Sequence, residues 1–238
     1  MKKLFWFCTV ILLLTQPVSA HDMWVQESGE GFFDIVLGHV GQCDPYEPER
    51  LKEIVGYTEN GWPVRLDIDR EKQGCRFIPD EAFCAIGALL DNRYWLKTTD
   101  GWRNQREHED FKILEEGRSY KFTKHVVRWC DLLAKPLGQR FEIVPLQDPT
   151  RLKQGDRLPV KIFFEGKPAL GARVAKTSNM EQTHFLEPVR AEGPFIVTIG
   201  PPGLQLINAK LAVPIKKGHV TWFAASLTFH TNQTTSKQ

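Results

Sequence analysis

Apolar residues in this chain come in short, interrupted runs, and that spacing sets what it can fold into. Residues 23–25, 32–37, 64–68, 120–129, 141–145, 158–164, 172–175, 195–199, 204–213 and 220–229 are rich in Val, Ile, Phe and Trp. Gly, Pro and Asp punctuate them. β-branched and aromatic side chains suit a pleated, half-buried surface, and the breakers limit each run to strand length. These runs predict strands. Only residues 47–55 and 83–90 read as modest helices. The expected class is mainly β.

Residues 135–139, with Pro136 and Gly138, have little periodicity and read as a linker. They divide the chain into a leader (1–20), an N-terminal β domain (21–138) and a C-terminal sandwich (139–238). In the last part, Glu165-Gly166-Lys167-Pro168 and Gly200-Pro201-Pro202-Gly203 are turns, because Gly tolerates positive φ and Pro fixes its own. The polar tail 231–238 is expected to fray.

Residues 1–20 have the form of a secretory signal. Lys2 and Lys3 supply the positive start, residues 4–14 a short apolar stretch, and Val18-Ser19-Ala20 a small-residue cleavage site. The apolar stretch is too short to span a bilayer, and no later one is long enough. Removing the two lysines from 31 basic and 29 acidic residues leaves a formally neutral chain. That excludes a basic nucleic-acid footprint and a polybasic membrane anchor. The expected product is a soluble periplasmic protein that is not inserted in the membrane.

Cleavage after Ala20 would make His21 the first residue. Its free α-amine, with a pKa of about 7.7–8, and its imidazole can then chelate one borderline ion such as Ni, Co, Cu or Zn. His39 ends the strand at 32–37. Alternation puts it on the face of Phe33, Ile35 and Leu37, where it can be a core residue or line a site at the sandwich edge. His125 alternates with Thr123 and Val127; Lys124 is the alternative site-facing residue. His108 reads as solvated surface, and His184, His219 and His230 as surface or strand-edge residues. Trp24 could wall the site beside His21. No nucleophile elbow, phosphate loop or H-E-x-x-H is present, and no acidic residues form an interpretable catalytic pair.

Four cysteines follow the leader: Cys43, Cys75, Cys84 and Cys130. An even count in an oxidising compartment favours two disulfides, with three pairings open. Cys75 and Cys84 flank a short polar segment, which suggests a local bridge and leaves Cys43 to pair with Cys130. That second bridge would bring the chain after His39 near the chain after His125. Thiolate metal ligation is disfavoured, since no C-x-x-C spacing occurs.

Several stretches carry a family resemblance. They are Ala20-His21-Asp22-Met23-Trp24, Gly38-His39, residues 120–125, 137–146 and 155–160, Phe164-Glu165-Gly166-Lys167-Pro168 with residues 169–174, and Ala225-Ser226-Leu227-Thr228-Phe229. Together they resemble an exported family of unassigned domains described as periplasmic components of cobalt/nickel ABC-type transport. The resemblance implies a nickel or cobalt ion, with copper or zinc as substitutes, and a membrane importer as partner. It matches His21, Trp24 and Gly38-His39, and it shows a lysine near Lys124. His125 as a ligand rests on the residue reading alone. The second domain resembles immunoglobulin-like modules, so the expected fold is two immunoglobulin-like β-sandwich domains in tandem.

The expected ligands are therefore His21, His39 and His125, with Asp22, Trp24 and Lys124 around them. Two rivals are a copper-dependent oxidase using the same terminal histidine, and a metal-free adhesion or scaffold module.

Overall fold

The computed structural model describes residues 21–29, 31–39, 42–64, 66–70, 74–78, 82–104, 111–178, 182–186, 188–190 and 192–231. Residues 1–20, where the leader is expected, His108 and residues 232–238 lie outside the described residues.

Strands β1 (Asp22–Glu27) and β2 (Phe33–His39) form an antiparallel hairpin, and β3 (Gln42–Asp44) returns along β2. One 3-10 turn, Pro48–Arg50, leads into β4 (Leu51–Tyr57). Three short strands follow: β5 (Pro63–Val64), β6 (Asp67–Asp69) and β7 (Cys75–Ile78). Then come the long β8 (Ala85–Thr98), the short β9 (Gly101–Arg103) and the long β10 (Ile113–Val126). After a second 3-10 turn, Asp131–Ala134, the chain continues through β11 (Phe141–Pro145), β12 (Arg157–Phe164), β13 (Lys167–Pro168), β14 (Arg173–Ser178) and β15 (Gln182–Phe185). It ends with β16 (Phe195–Thr198), β17 (Gly203–Lys216) and β18 (His219–Thr231).

These strands form three sheets. The nine-stranded sheet, ordered β15-β14-β17-β18-β10-β8-β4-β5 with β9 beside β8, is the centre. On one of its faces, Phe122, Val126, Ala225 and Leu227 meet Phe141, Ile143, Leu158 and Val160 of the four-stranded sheet. On the other, Ile86, Ala88 and Leu90 meet Met23, Val25, Phe33, Ile35 and Phe77 of the five-stranded sheet. Alternation along β10 serves both cores, since successive side chains point to opposite faces.

The mainly β class is observed, and most of the expected strands are present. Both expected helices are absent. The apolar run 83–90 fits a buried helix or a strand covered on both faces equally well, and the second core makes it β8. Residues 47–55 make only the 3-10 turn Pro48–Arg50, and Leu51 already begins β4 of the central sheet.

The expected boundary at residue 138 runs across one hydrogen-bonded sheet. β10 pairs in parallel with β18, from the opposite side of that boundary, with Thr123 beside Ser226 and His125 beside Thr228. Nor is 135–139 a free linker. Glu142 accepts hydrogen bonds from the Leu137 and Gln139 backbone N–H groups, at 2.7 and 3.2 Å. Gln139 Nε2 in turn donates to the carbonyls of Ala88 and Thr123.

The expected disulfides are also corrected: all four thiols are free. Cys75 belongs to the core under the five-stranded sheet, and Cys84 to the core under the four-stranded one. Cys43 pairs with Gly38 at the His39 end of β2. Cys130 follows the opposite end of the central strands, just beyond Val126.

Candidate metal centre

The site is built at one end of the five-stranded sheet. β1 pairs with β2 so that Asp22 lies opposite Gly38, which leaves His21 level with His39. Their rings lie 4.4 Å apart, tilted by 31°. The return strand β3 sets Asp44 opposite Leu37, and His21 Nε2 lies 2.8 Å from Asp44 Oδ2. Gly38 permits this close packing, because a Cβ there would sit 2.1 Å from the Gln42 carbonyl oxygen. Gln42 Nε2 donates to the other Asp44 oxygen, at 3.1 Å.

Beneath His21 the central sheet supplies charge. Lys121, fully buried, donates from Nζ to the His21 carbonyl and so fixes the first residue of β1's approach. Burial pushes its pKa down to about 7; Asp22 opposes the shift, and Lys210 and Arg50 reinforce it. Asp22 turns toward β17, where Asn208 donates to Oδ2 at 2.9 Å and Lys210 Nζ lies 3.0 Å from Oδ1. Burial and the neighbouring His39 hold the His21 imidazole below its ordinary pKa, against the raising effect of Asp44. The neutral ring, the form that binds a metal, is therefore favoured at neutral pH.

Two carboxylate oxygens at this end, Asp44 Oδ2 and Asp22 Oδ1, are buried without a well-directed hydrogen bond, despite their ion-pair distances to His21 and Lys210. Poorly satisfied buried carboxylate oxygens are where a cation is most welcome. Side chains alone do not complete a centre: among the described residues no three His, Cys, Asp or Glu side chains are arranged to hold an ion.

The structure separates His125 from the other expected ligands. It lies four positions along β10 from Lys121, about 13 Å at the strand rise. There it packs against Phe33 with ring centroids 5.9 Å apart, shares a 2.9 Å hydrogen bond with Thr228 Oγ1, and faces His230 at 6.3 Å. The disulfide that would have drawn it toward His39 does not exist. Lys124 points to the opposite core, where it is ion-paired with Glu142. Trp24 does not wall the site; it packs with Leu204, Leu206 and Val36. His219 pairs with Glu116 at 3.1 Å.

Asp44 and Lys121 are the site residues that the sequence reading missed. Lys121 lies in alternation with Thr123 and His125, a signal available from β10's pattern. Asp44 had none, because the return of β3 places it.

His125 is a buried neutral group. Burial, reinforced by His230, pushes its pKa from 6.5 to about 3. An unfolded chain takes up a proton below about 6.5, and the folded one resists until far lower. The stability tied to neutral His125 is thus present above pH 6.5 and lost as pH falls, at about 1.4 kcal/mol per pH unit. Urea unfolding at pH 7 and pH 5 should show this loss, and His125→Gln should remove it. An equal acid loss in that variant would contradict a buried neutral imidazole.

A family model described as "Domain of unknown function (DUF4198)" matches residues 18–213. The chain belongs to the DUF4198 family. The match takes in His21, His39, Asp44 and Lys121 and most strands of the central sheet, and it ends before β18. No curated protein matches the chain.

Proposed function

We propose that this DUF4198 protein binds a divalent transition-metal ion, nickel or cobalt, at a processed N-terminus in the periplasm and serves metal uptake or delivery. The observation that carries the reading is the approach of His21 to two potential donors, His39 with rings 4.4 Å apart and Asp44 at 2.8 Å. The buried Asp44 oxygen, which faces His21 without a well-directed hydrogen bond, supports the same point. Cleavage after Ala20 supplies the missing donor, the α-amine of His21. Two imidazoles, an amine and a carboxylate form a donor set that suits nickel, cobalt, copper or zinc. Lys121 holds the His21 carbonyl, so the amine and the ring are positioned before the ion arrives.

The test is calorimetry with nickel, cobalt, copper and zinc on protein beginning at His21. A second form carries one Gly before His21, and a third carries His39→Ala. The extra Gly removes the amine–imidazole chelate and leaves the fold unchanged. Nickel affinity should fall by at least about 100-fold in the Gly form, more than the ~10–100-fold typical of losing an outer partner of a metal site. His39→Ala should weaken binding as well. Affinity should drop steeply between pH 7 and pH 5, because protons compete for the amine and both rings. Equal binding by all three forms, or binding unchanged at pH 5, would overturn the reading.

A further inference from the structure

Cys84 and Cys130 are brought together by the end of the central sheet. Ala85, the first residue of β8, pairs with Val126, the last of β10. Just beyond that pair, the Cys84 carbonyl accepts hydrogen bonds from both Val127 N–H, at 2.9 Å, and Arg128 N–H, at 3.1 Å. This doubled contact folds the chain after β10 back over Cys84. Cys130 then opens the 3-10 turn at Asp131, whose Leu133 N–H bonds to the Cys130 carbonyl at 3.0 Å. Cys84 belongs to the core under the four-stranded sheet and Cys130 packs against that same core, close enough to act on the Cys84 thiol. Cys84 is fully buried, and Cys130 is only partly buried.

Among the described residues, the other two thiols are not placed together in this way. Cys43 and Cys75 lie along the same edge of β2, opposite Gly38 and Ile35, three positions or about 10 Å apart. That is beyond the ~7 Å Cα separation a disulfide can bridge. Cys75 instead lies in the same core as Tyr46.

We propose that Cys84 and Cys130 form a single disulfide when the protein meets a thiol–disulfide oxidant, and that Cys43 and Cys75 remain thiols. Oxidised glutathione is one such oxidant. The accessible Cys130 sulfur, as thiolate, attacks one glutathione sulfur, making a mixed disulfide and expelling one glutathione thiolate. Cys84 gives up its proton and attacks the Cys130 sulfur, expelling the second glutathione. The protein loses two electrons and two protons, and two reduced glutathiones are formed. Burial and the neighbouring Cys130 push the Cys84 thiol up to about 12, so it serves as the second, resolving thiol rather than the attacking one. The bridge would tie the start of β8 to the chain after β10, closing a long loop of the unfolded chain.

The experiment is peptide mapping of purified full chain, alkylated without reduction after equilibration in oxidised and in reduced glutathione. The oxidised sample should contain one cross-linked peptide joining Cys84 to Cys130, with Cys43 and Cys75 alkylated. A Cys43→Ser/Cys75→Ser variant should give the same cross-link. In both proteins the melting midpoint should be higher oxidised than reduced, by about 5–10 °C, and this difference should vanish in Cys130→Ser. Four alkylated thiols in excess oxidised glutathione, a bridge using Cys43 or Cys75, or a mixed disulfide on Cys130 that never resolves would each overturn the assignment. None of these outcomes depends on whether a metal binds at His21.

Discussion

Replacing Glu142 by Gln is expected to destabilise the fold by about 3–5 kcal/mol, because it leaves a buried ammonium without its counter-charge. Lys124 and Glu142 are almost wholly buried, at 1 % and 0 % side-chain exposure. Besides this partner, Lys124 Nζ donates to the Ile143 carbonyl at 3.2 Å. Burial holds the Lys124 pKa below its ordinary value, and Glu142 works against that shift. Glu142 does a second job by accepting the Leu137 and Gln139 backbone N–H groups, which pin the 135–139 segment to β11. The double variant Lys124→Met/Glu142→Gln should recover most of the loss, since two well-packed neutral groups cost less than one orphaned charge. Urea midpoints for the two single variants and the pair would measure this. If Glu142→Gln alone were neutral, Lys124 would have to be uncharged in the native state.

Gly38→Ala is expected to cost about 2–3 kcal/mol and to disturb the candidate metal centre as well. The new Cβ would lie 2.1 Å from the Gln42 carbonyl oxygen and 3.0 Å from the Cys43 Cα. Both are backbone atoms of β3, so no side chain can swing away; the strand itself must move. Asp44, the next residue, moves with it and leaves His21. Thermal unfolding should show a fall of about 4–12 °C for a chain of this size. Nickel titration of the same variant, at a temperature where it is folded, should show weaker binding. A lower midpoint with unchanged affinity would place the ion away from Asp44, and an unchanged midpoint would mean that β3 is not held where the structure has it.

Much of this architecture is written in residue order. The runs at 141–145, 158–164 and 195–199 became β11, β12 and β16 with almost unchanged bounds, because each is short and closed by Pro, Gly or a turn, and β12 and β16 also alternate. His39 was legible as a histidine on the face of Phe33, Ile35 and Leu37 at the strand's end, and it lies there. β8 was not legible: Ala-Ile-Gly-Ala-Leu-Leu is covered on both sides, and the alternation that marks a half-exposed strand is missing. The role of Lys124 was misjudged for a related reason. Periodicity tells which residues share a face of β10, but it cannot tell which face looks at His21 and which at Glu142.

Local chemistry was therefore enough to determine the β class, most strand positions and the pairing of His21 with His39 at one strand end. These depend on contacts close in sequence and on the two-residue period of the strand. Only the tertiary structure decided that β18 returns to lie parallel to β10, merging the two expected domains into layers around one sheet. It also decided that His125 and Lys124 lie away from His21, that Asp44 and Lys121 lie beside it, and that the chain leading to Cys130 folds back over Cys84. Each of these depends on which distant strand covers which face, and no local pattern carries that information.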